Sequence, residues 1–232
     1  MASAPPTGSL FLALDSSGPI GSVAVAAGAD VLARRTLDRP MRFSAELIPA
    51  VAAVLEEAGV ARTDLAGVVV GSGPGSFTGV RVAAATAKGL AHALAIPMWA
   101  FSSLEAAAVA DGAWGVRYVL FDARGDRVYA ACYEVGPAGV EERVAPHASS
   151  VGAVLLEELP LDVAFVGDGA VRHAGALRAA GRRVLAAPAG IPTADALLAL
   201  RALGGGRVPV DRPDRWEPDY VKASNAERAR TG

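Results

Sequence analysis

The sequence predicts an α/β fold in which one β-β-β-α-β-α unit is used twice. Three observations carry this. The element order read from hydrophobic period restarts after Pro97, each half opens with a hairpin, and each first strand ends in an aspartate, Asp15 and Asp122. A single doubly wound sheet is the alternative, and the opening hairpins argue against its strict strand-helix alternation. The repeat lies in pattern and not in residue identity between the halves. The chain of 232 residues, 52% apolar and 20% charged with a net charge of −2, has the material for a full core. That balance excludes a disordered chain. Lys plus Arg (22) falls short of Asp plus Glu (24), which excludes a strongly basic nucleic-acid binder acting alone.

Residues 9–15 are apolar and run into Asp-Ser-Ser-Gly-Pro, a strand followed by a turn. Residues 20–26 and 31–37 read as two more strands around Gly28-Ala29-Asp30. From Ser44, Leu47, Ile48, Val51, Val54, Leu55 and Ala58 share one helical face, closed by Gly59. Pro49 is expected to bend that helix or push its regular start downstream. Residues 68–70 form a short buried strand, and a glycine-rich loop leads to a second helix ending near Ala95. The second half reads as strands at 116–122, 127–134 and 140–144, a helix at 149–158, a strand at 163–166, the turn Gly167-Asp168-Gly169 and a helix from Ala170. The best architectural match is the actin-like ATPase fold of the sugar kinases and Hsp70 (ASKHA), with two such units facing a cleft. The expected subdomains are 9–100 and 101–223. An extended arm is expected as far as Tyr220-Val221, with a disordered tail over 224–232.

Residues 1–14 lack the basic start of a signal peptide, and the apolar stretch 89–104 is too short and too polar to span a bilayer. One cysteine, Cys132, excludes an internal disulfide. The expected location is the cytoplasm, without membrane contact.

The most specific segment is Gly71-Ser-Gly-Pro-Gly-Ser-Phe-Thr-Gly-Val-Arg81. It reads as a strand, a tight turn and a helix start capped by Ser76 or Thr78, where exposed amides favour an anion. It is neither a Walker A loop nor a dinucleotide fingerprint. In the helix beyond, Gly79, Ala83, Ala87 and Ala91 form one small-residue stripe, and Ala85, Gly89 and Ala93 another. Such stripes let a second helix approach closely, and one of them must pack on the chain's own sheet. Asp15 and Asp122 stand where actin-like ATPases hold a metal and position water, or else they cap turns, with Arg124 placed to pair with Asp122. Asp15, Ser16, Asp122, Gly167 and Gly169 are the residues of a degenerate nucleotide cleft, with no resident cofactor expected. His92, His147 and His173 are scattered, and no metal site is expected. Cys132 reads as core, and Arg172, Arg178, Arg182 and Arg183 as a solvated basic face with tRNA contact as its alternative.

Leu12-Ala-Leu-Asp15-Ser-Ser, Phe43-Ser-Ala-Glu-Leu-Ile-Pro49, Gly73-Pro-Gly-Ser-Phe-Thr-Gly-Val-Arg81, Phe121-Asp-Ala-Arg124-x-x-x-Val-Tyr129 and Pro218-x-Tyr220 occur in order. Over residues 9–223 the chain thereby resembles the TsaB (YeaZ) family of bacterial proteins, needed to make threonylcarbamoyladenosine at position 37 of tRNA. The resemblance implies a non-catalytic dimerisation subunit and activator of the paralogous threonylcarbamoyltransferase TsaD, and not an enzyme. Where that paralogue carries its His-x-x-x-His metal pair, this chain has Ser103 and Ala107, and Phe43 replaces a frequent family histidine. The resemblance also implies a helix bundle with TsaD, or a homodimer through the same surface, recruitment of the P-loop ATPase TsaE, and tRNA contact only through the complex. The interface residues expected on these grounds are Leu47, Val51, Val54, Phe77, Gly79, Val80, Ala83, Ala84 and Ala87. The competing function is an actin-like kinase or ATPase acting on a small molecule. A protease lacks both a nucleophile-base pair and a metal pair.

Overall fold

The structure is a computed structural model and describes residues 8–160, 162–203 and 207–219. Strands β1 (Leu10–Asp15), β2 (Gly21–Ala27), β3 (Asp30–Leu37), β4 (Leu65–Gly71) and β5 (Met98–Phe101) form the first sheet, in the order β3-β2-β1-β4-β5. Strands β6 (Gly115–Asp122), β7 (Arg127–Gly136), β8 (Gly139–Ser150), β9 (Ala164–Val166) and β10 (Arg183–Val184) form the second, in the order β10-β9-β6-β7-β8. In both sheets the first strand is central, its hairpin partner is antiparallel, and the strand on its other side is parallel. The two halves therefore share one topology, and the duplicated unit read from the sequence is present.

Helix α1 (Phe43–Glu57) and helix α2 (Phe77–Leu94) cover one face of the first sheet. Strand alternation explains why: Leu10, Leu12 and Leu14 point toward α1 and α2, while Phe11 and Ala13 point to the opposite face. The second sheet is covered on its outer face by three short helices, α4 (Val151–Val154), α5 (Asp168–Arg172) and α6 (Ala174–Ala179), over Tyr118, Leu120 and Ala130. Between the sheets lie α3 (Ser103–Val109) and α7 (Ala194–Ala202), crossed over in sequence. α3 leaves the first sheet to pack on Val119 and Phe121, and α7 returns from the second half to pack on Phe11, Ala13 and Ala24.

Three sequence expectations change. Pro49 does not displace the start of α1, which begins at Phe43, because burial of Phe43 and Leu47 against the first sheet holds the turns before it. The third strand of the second half is longer than 140–144 and runs to Ser150, because the ladder with β7 continues to Arg127↔Ser150. The helix expected at 149–158 is accordingly one short turn, α4, capped by the Ser150 hydroxyl, which accepts from the Ala153 amide. The extended arm is present as far as Asp219. The expectations for Tyr220, Val221 and the tail 224–232 lie outside the described residues.

Two glycines of α2 have opposite surroundings. A Cβ at Gly79 would overlap the Ser16 carbonyl, whereas one at Gly89 would meet nothing within 4 Å. Gly79→Ala is expected to destabilise the chain by about 1–3 kcal/mol through overpacking. Gly89→Ala is expected to stabilise it by about 0.5–1 kcal/mol through helix propensity. Urea unfolding midpoints check the pair, and equal shifts would contradict the packing.

Candidate functional site: the cleft and the outer helical face

The Asp15-Ser16-Ser17 turn at the end of β1 is pressed against the glycine-rich loop. The Ser16 hydroxyl donates to the Gly79 carbonyl at 2.7 Å, and the Ser76 amide donates to the Ser17 carbonyl at 2.7 Å. Ser76 caps α2, its hydroxyl accepting from the Gly79 amide at 3.3 Å. Glycine is required where these backbones meet, because a Cβ at Gly71 would overlap the Asp15 carboxylate and one at Gly75 the Ser17 carbonyl. The glycine signature is thus first a packing device.

Asp15 is fully buried. Its Oδ1 accepts from the Ser17 amide (2.8 Å) and hydroxyl (2.7 Å), and its Oδ2 from the Ser103 hydroxyl (2.7 Å). Ser103 in turn accepts from the Gly73 amide at 3.2 Å. Burial pushes the Asp15 carboxyl above the usual carboxylate range, and the bonds from Ser103 and Ser17 only partly offset it. One carboxylate therefore ties β1, the glycine loop and α3 together.

Beside this knot lies a cleft of about 470 Å³ between the halves. Ser17, Ser76 and Thr78 line one wall, and Asp122, Arg124 and Tyr129 the other. Of the five nucleotide residues read from the sequence, only Asp122 is among those lining it. Asp15 and Ser16 are enclosed by the contacts above. Gly167 and Gly169 lie against β6, where a Cβ would meet the Leu120 carbonyl, so their smallness serves the seating of α5. Asp122 is paired by Arg172 at 2.9 Å and not by the Arg124 side chain; Arg124 offers its amide, at 2.9 Å, with φ +71°. Asp168 bridges the Asp122 and Gly169 amides, and burial raises its carboxyl above the usual range.

This set does not fit a magnesium nucleotide: one carboxylate is sealed and hydrogen-bonded, and the other is neutralised by a guanidinium. Among the described residues no group of three or more His, Cys, Asp and Glu is placed to hold a metal ion. Cys132 is buried in β7, its thiol pushed up to about 11 chiefly by burial.

The second candidate site is the outward face of α1 and α2. Leu47, Val51, Val54, Val80, Ala83, Ala84 and Ala87 are buried within the monomer, with Gly79 beside them, so the first small-residue stripe is the one that packs on the chain's own sheet. Of the expected interface residues only Phe77 is open, at 60% exposure, with the Arg81 guanidinium 3.8 Å above its ring. The second stripe, Ala85, Gly89 and Ala93, faces outward. Beside it α1 and its approach expose Met41 (95%), Ile48 (54%), Ala45 and Ala52. The sequence signal for that α1 face was the spacing 45, 48, 52, overshadowed by the larger side chains of the buried face.

Residues 40–176 match the family described as TsaD: tRNA N6-adenosine threonylcarbamoyltransferase, more than half of the chain. The chain belongs to the TsaD family. Within it, this chain is a homologue of the TsaB/YeaZ proteins. It is 37% identical over 151 residues to tRNA threonylcarbamoyladenosine biosynthesis protein TsaB of Bacillus subtilis, a match covering 64% of this chain and 65% of that protein. Against the Escherichia coli protein of the same name it is 36% identical over 125 residues, 52% of this chain and 51% of that one. The chain thus spans just under two-thirds of the first relative's length and about half of the second's. Its fold superposes on YeaZ from Pseudomonas aeruginosa with a TM-score of 0.79 at 28% identity, covering 92% of this chain and all of that one. The ethanolamine utilization protein EutJ of Carboxydothermus hydrogenoformans shares the fold alone, at a TM-score of 0.52 and 13% identity. This is the actin-like ATPase fold. No helix among the described residues is long and apolar enough to cross a membrane.

The Asp15 knot gives a pH test with a definite sign. A carboxyl raised in the folded state contributes stability below its unfolded pKa and loses it as pH rises through the folded value. The gap in unfolding free energy between parent and Asp15→Asn is therefore expected to move in favour of the Asn variant between pH 4 and pH 8. Urea titrations at the two ends measure it, and a shift in the opposite direction would refute the buried acid.

Proposed function

We propose that this chain is a non-catalytic partner and activator of a TsaD-type threonylcarbamoyltransferase, acting through the outer face of α1 and α2. The reaction served is formation of N6-threonylcarbamoyladenosine at position 37 of tRNAs that read codons beginning with A. The observation that carries the reading is the exposed strip of Ile48, Ala52, Ala85, Gly89 and Phe77 on two long packed helices, in a chain whose relatives are named for this pathway. Small residues let a partner helix approach to packing distance, and the surrounding methyl groups supply burial. A standard interface of about 1,600 Å² gives a specific but exchangeable pair. Two copies of this chain would compete through the same strip as a homodimer. The paired form would recruit the ATPase TsaE and meet tRNA only within the complex, in the cytoplasm.

The chemistry at the cleft supports the non-catalytic side of this reading. At the two positions aligned with the paralogue's metal histidines, Ser103 spends its hydroxyl on Asp15 and Ala107 is a buried methyl. Neither is a transition-metal ligand. The kinase reading would need a free carboxylate to hold magnesium, and Asp15 and Asp122 are both engaged.

Gly89→Arg and Ile48→Asp are expected to leave the monomer folded, since both sites are open. Each should weaken pairing with TsaD at least tenfold and lower tRNA modification in a reconstituted assay to match. Sedimentation and product analysis provide the readouts. Undiminished pairing in both variants would remove this surface, and product formed by this chain alone would remove the non-catalytic assignment.

A further inference from the structure

The segment 207–219 crosses the first half as an extended arm and is held at five places, the first being Arg207, whose guanidinium donates to both carboxylate oxygens of Glu105 on α3 and lies over the Phe101 ring. The Val210 amide donates to the Met98 carbonyl at 2.7 Å on β5, at the edge of the first sheet. The Lys88 ammonium on α2 donates to the Asp214 carbonyl at 3.1 Å and the Trp216 carbonyl at 2.9 Å. Trp216 packs on the core under α2. Asp219 closes the end, its amide donating to the Ser72 carbonyl at 3.0 Å and its carboxylate accepting from the Ser72 hydroxyl at 2.6 Å. The arm has no helix or strand of its own, so these contacts are what hold it.

Lys88 is one of two lysines in the chain, and it stands beside the outward stripe: Ala85 and His92 are its neighbours one helical turn away, and Gly89 follows it. Two of its three protons are committed to arm carbonyls, which draws the charge to the flank of α2. Without the arm, the same flexible four-carbon stem would carry a hydrated ammonium over Ala85. A partner helix would then have to strip water from that charge before it could close on the stripe.

We propose that the arm is a strap whose role is to hold Lys88 off the outer face of α2, so that docking strength depends on strap closure. This rests on the helix-docking reading above and adds to it a positioning element outside the contact surface. The test keeps the full chain and releases the strap with Trp216→Ala plus Asp219→Ala, neither of which touches the outer face. Faster trypsin cleavage after Arg215 reports the release. Pairing with TsaD is expected to weaken about tenfold in the released variant and to recover to within about twofold of the parent when Lys88→Ala is added. A strap that merely stabilises the fold would show no such recovery. Failure of the parent to pair at all would remove the docking reading and the strap with it. Undiminished pairing in the released variant, or a loss that Lys88→Ala does not repair, would overturn the strap alone.

Discussion

The arrangement of the first half depends on the closure of the β1 turn onto the glycine loop. Ser16 and Ser17 hand their polar groups to the start of α2, while Asp15 is drawn inward to meet Ser103. Ionising a buried carboxyl is costly, and each hydrogen bond to a charged group returns about 1.5–3 kcal/mol, so the knot stands only if every partner is in place. This ties three distant stretches of sequence to one another. It sets the direction in which α2 leaves the sheet, fixes the floor of the cleft, and leaves the Asp15 carboxylate enclosed by its own chain.

Apart from the short β5 and β10, the strands of both halves were legible as apolar runs bounded by turn residues, and the two terminal aspartates gave the repeat. Helices α3 and α7 were not. Both lie between the two sheets and bury residues on several sides: Ala194, Ala196, Leu197, Leu198 and Leu200 leave α7 no clean polar face. A helix without a polar face has no 3.6-residue signal, and α3, with Ala106, Ala107 and Ala108 all buried, is short as well. The site was half legible. The two small-residue stripes of α2 were readable, but which of them faced the sheet was not, since alanine serves equally in a core and in a helix contact. The glycine loop was read as a tight turn and capped helix start, with an anion at its amides as the functional alternative, and the close approaches at Gly71, Gly75 and Gly79 account for the turn. Arg172 as the partner of Asp122 could not be read at all, because 50 residues and a sheet register separate the two.

The duplication is unequal, and the inequality bears on function. In the first half the outer face of the sheet carries helices of 15 and 18 residues. In the second half the corresponding layer is three helices of four to six residues. Short helices present little continuous surface and are held mainly by the sheet beneath them. Long paired helices present a ridge on which another pair can lie. Among the described residues only the first half thus has an outer layer of long paired helices, and that layer with its approach exposes Met41, Ile48 and Phe77. The same half receives α7 and the arm, so residues 194–202 and 207–219 reinforce it. The second half, with its short outer helices, supplies the opposite wall of the cleft through Asp122, Arg124 and Tyr129.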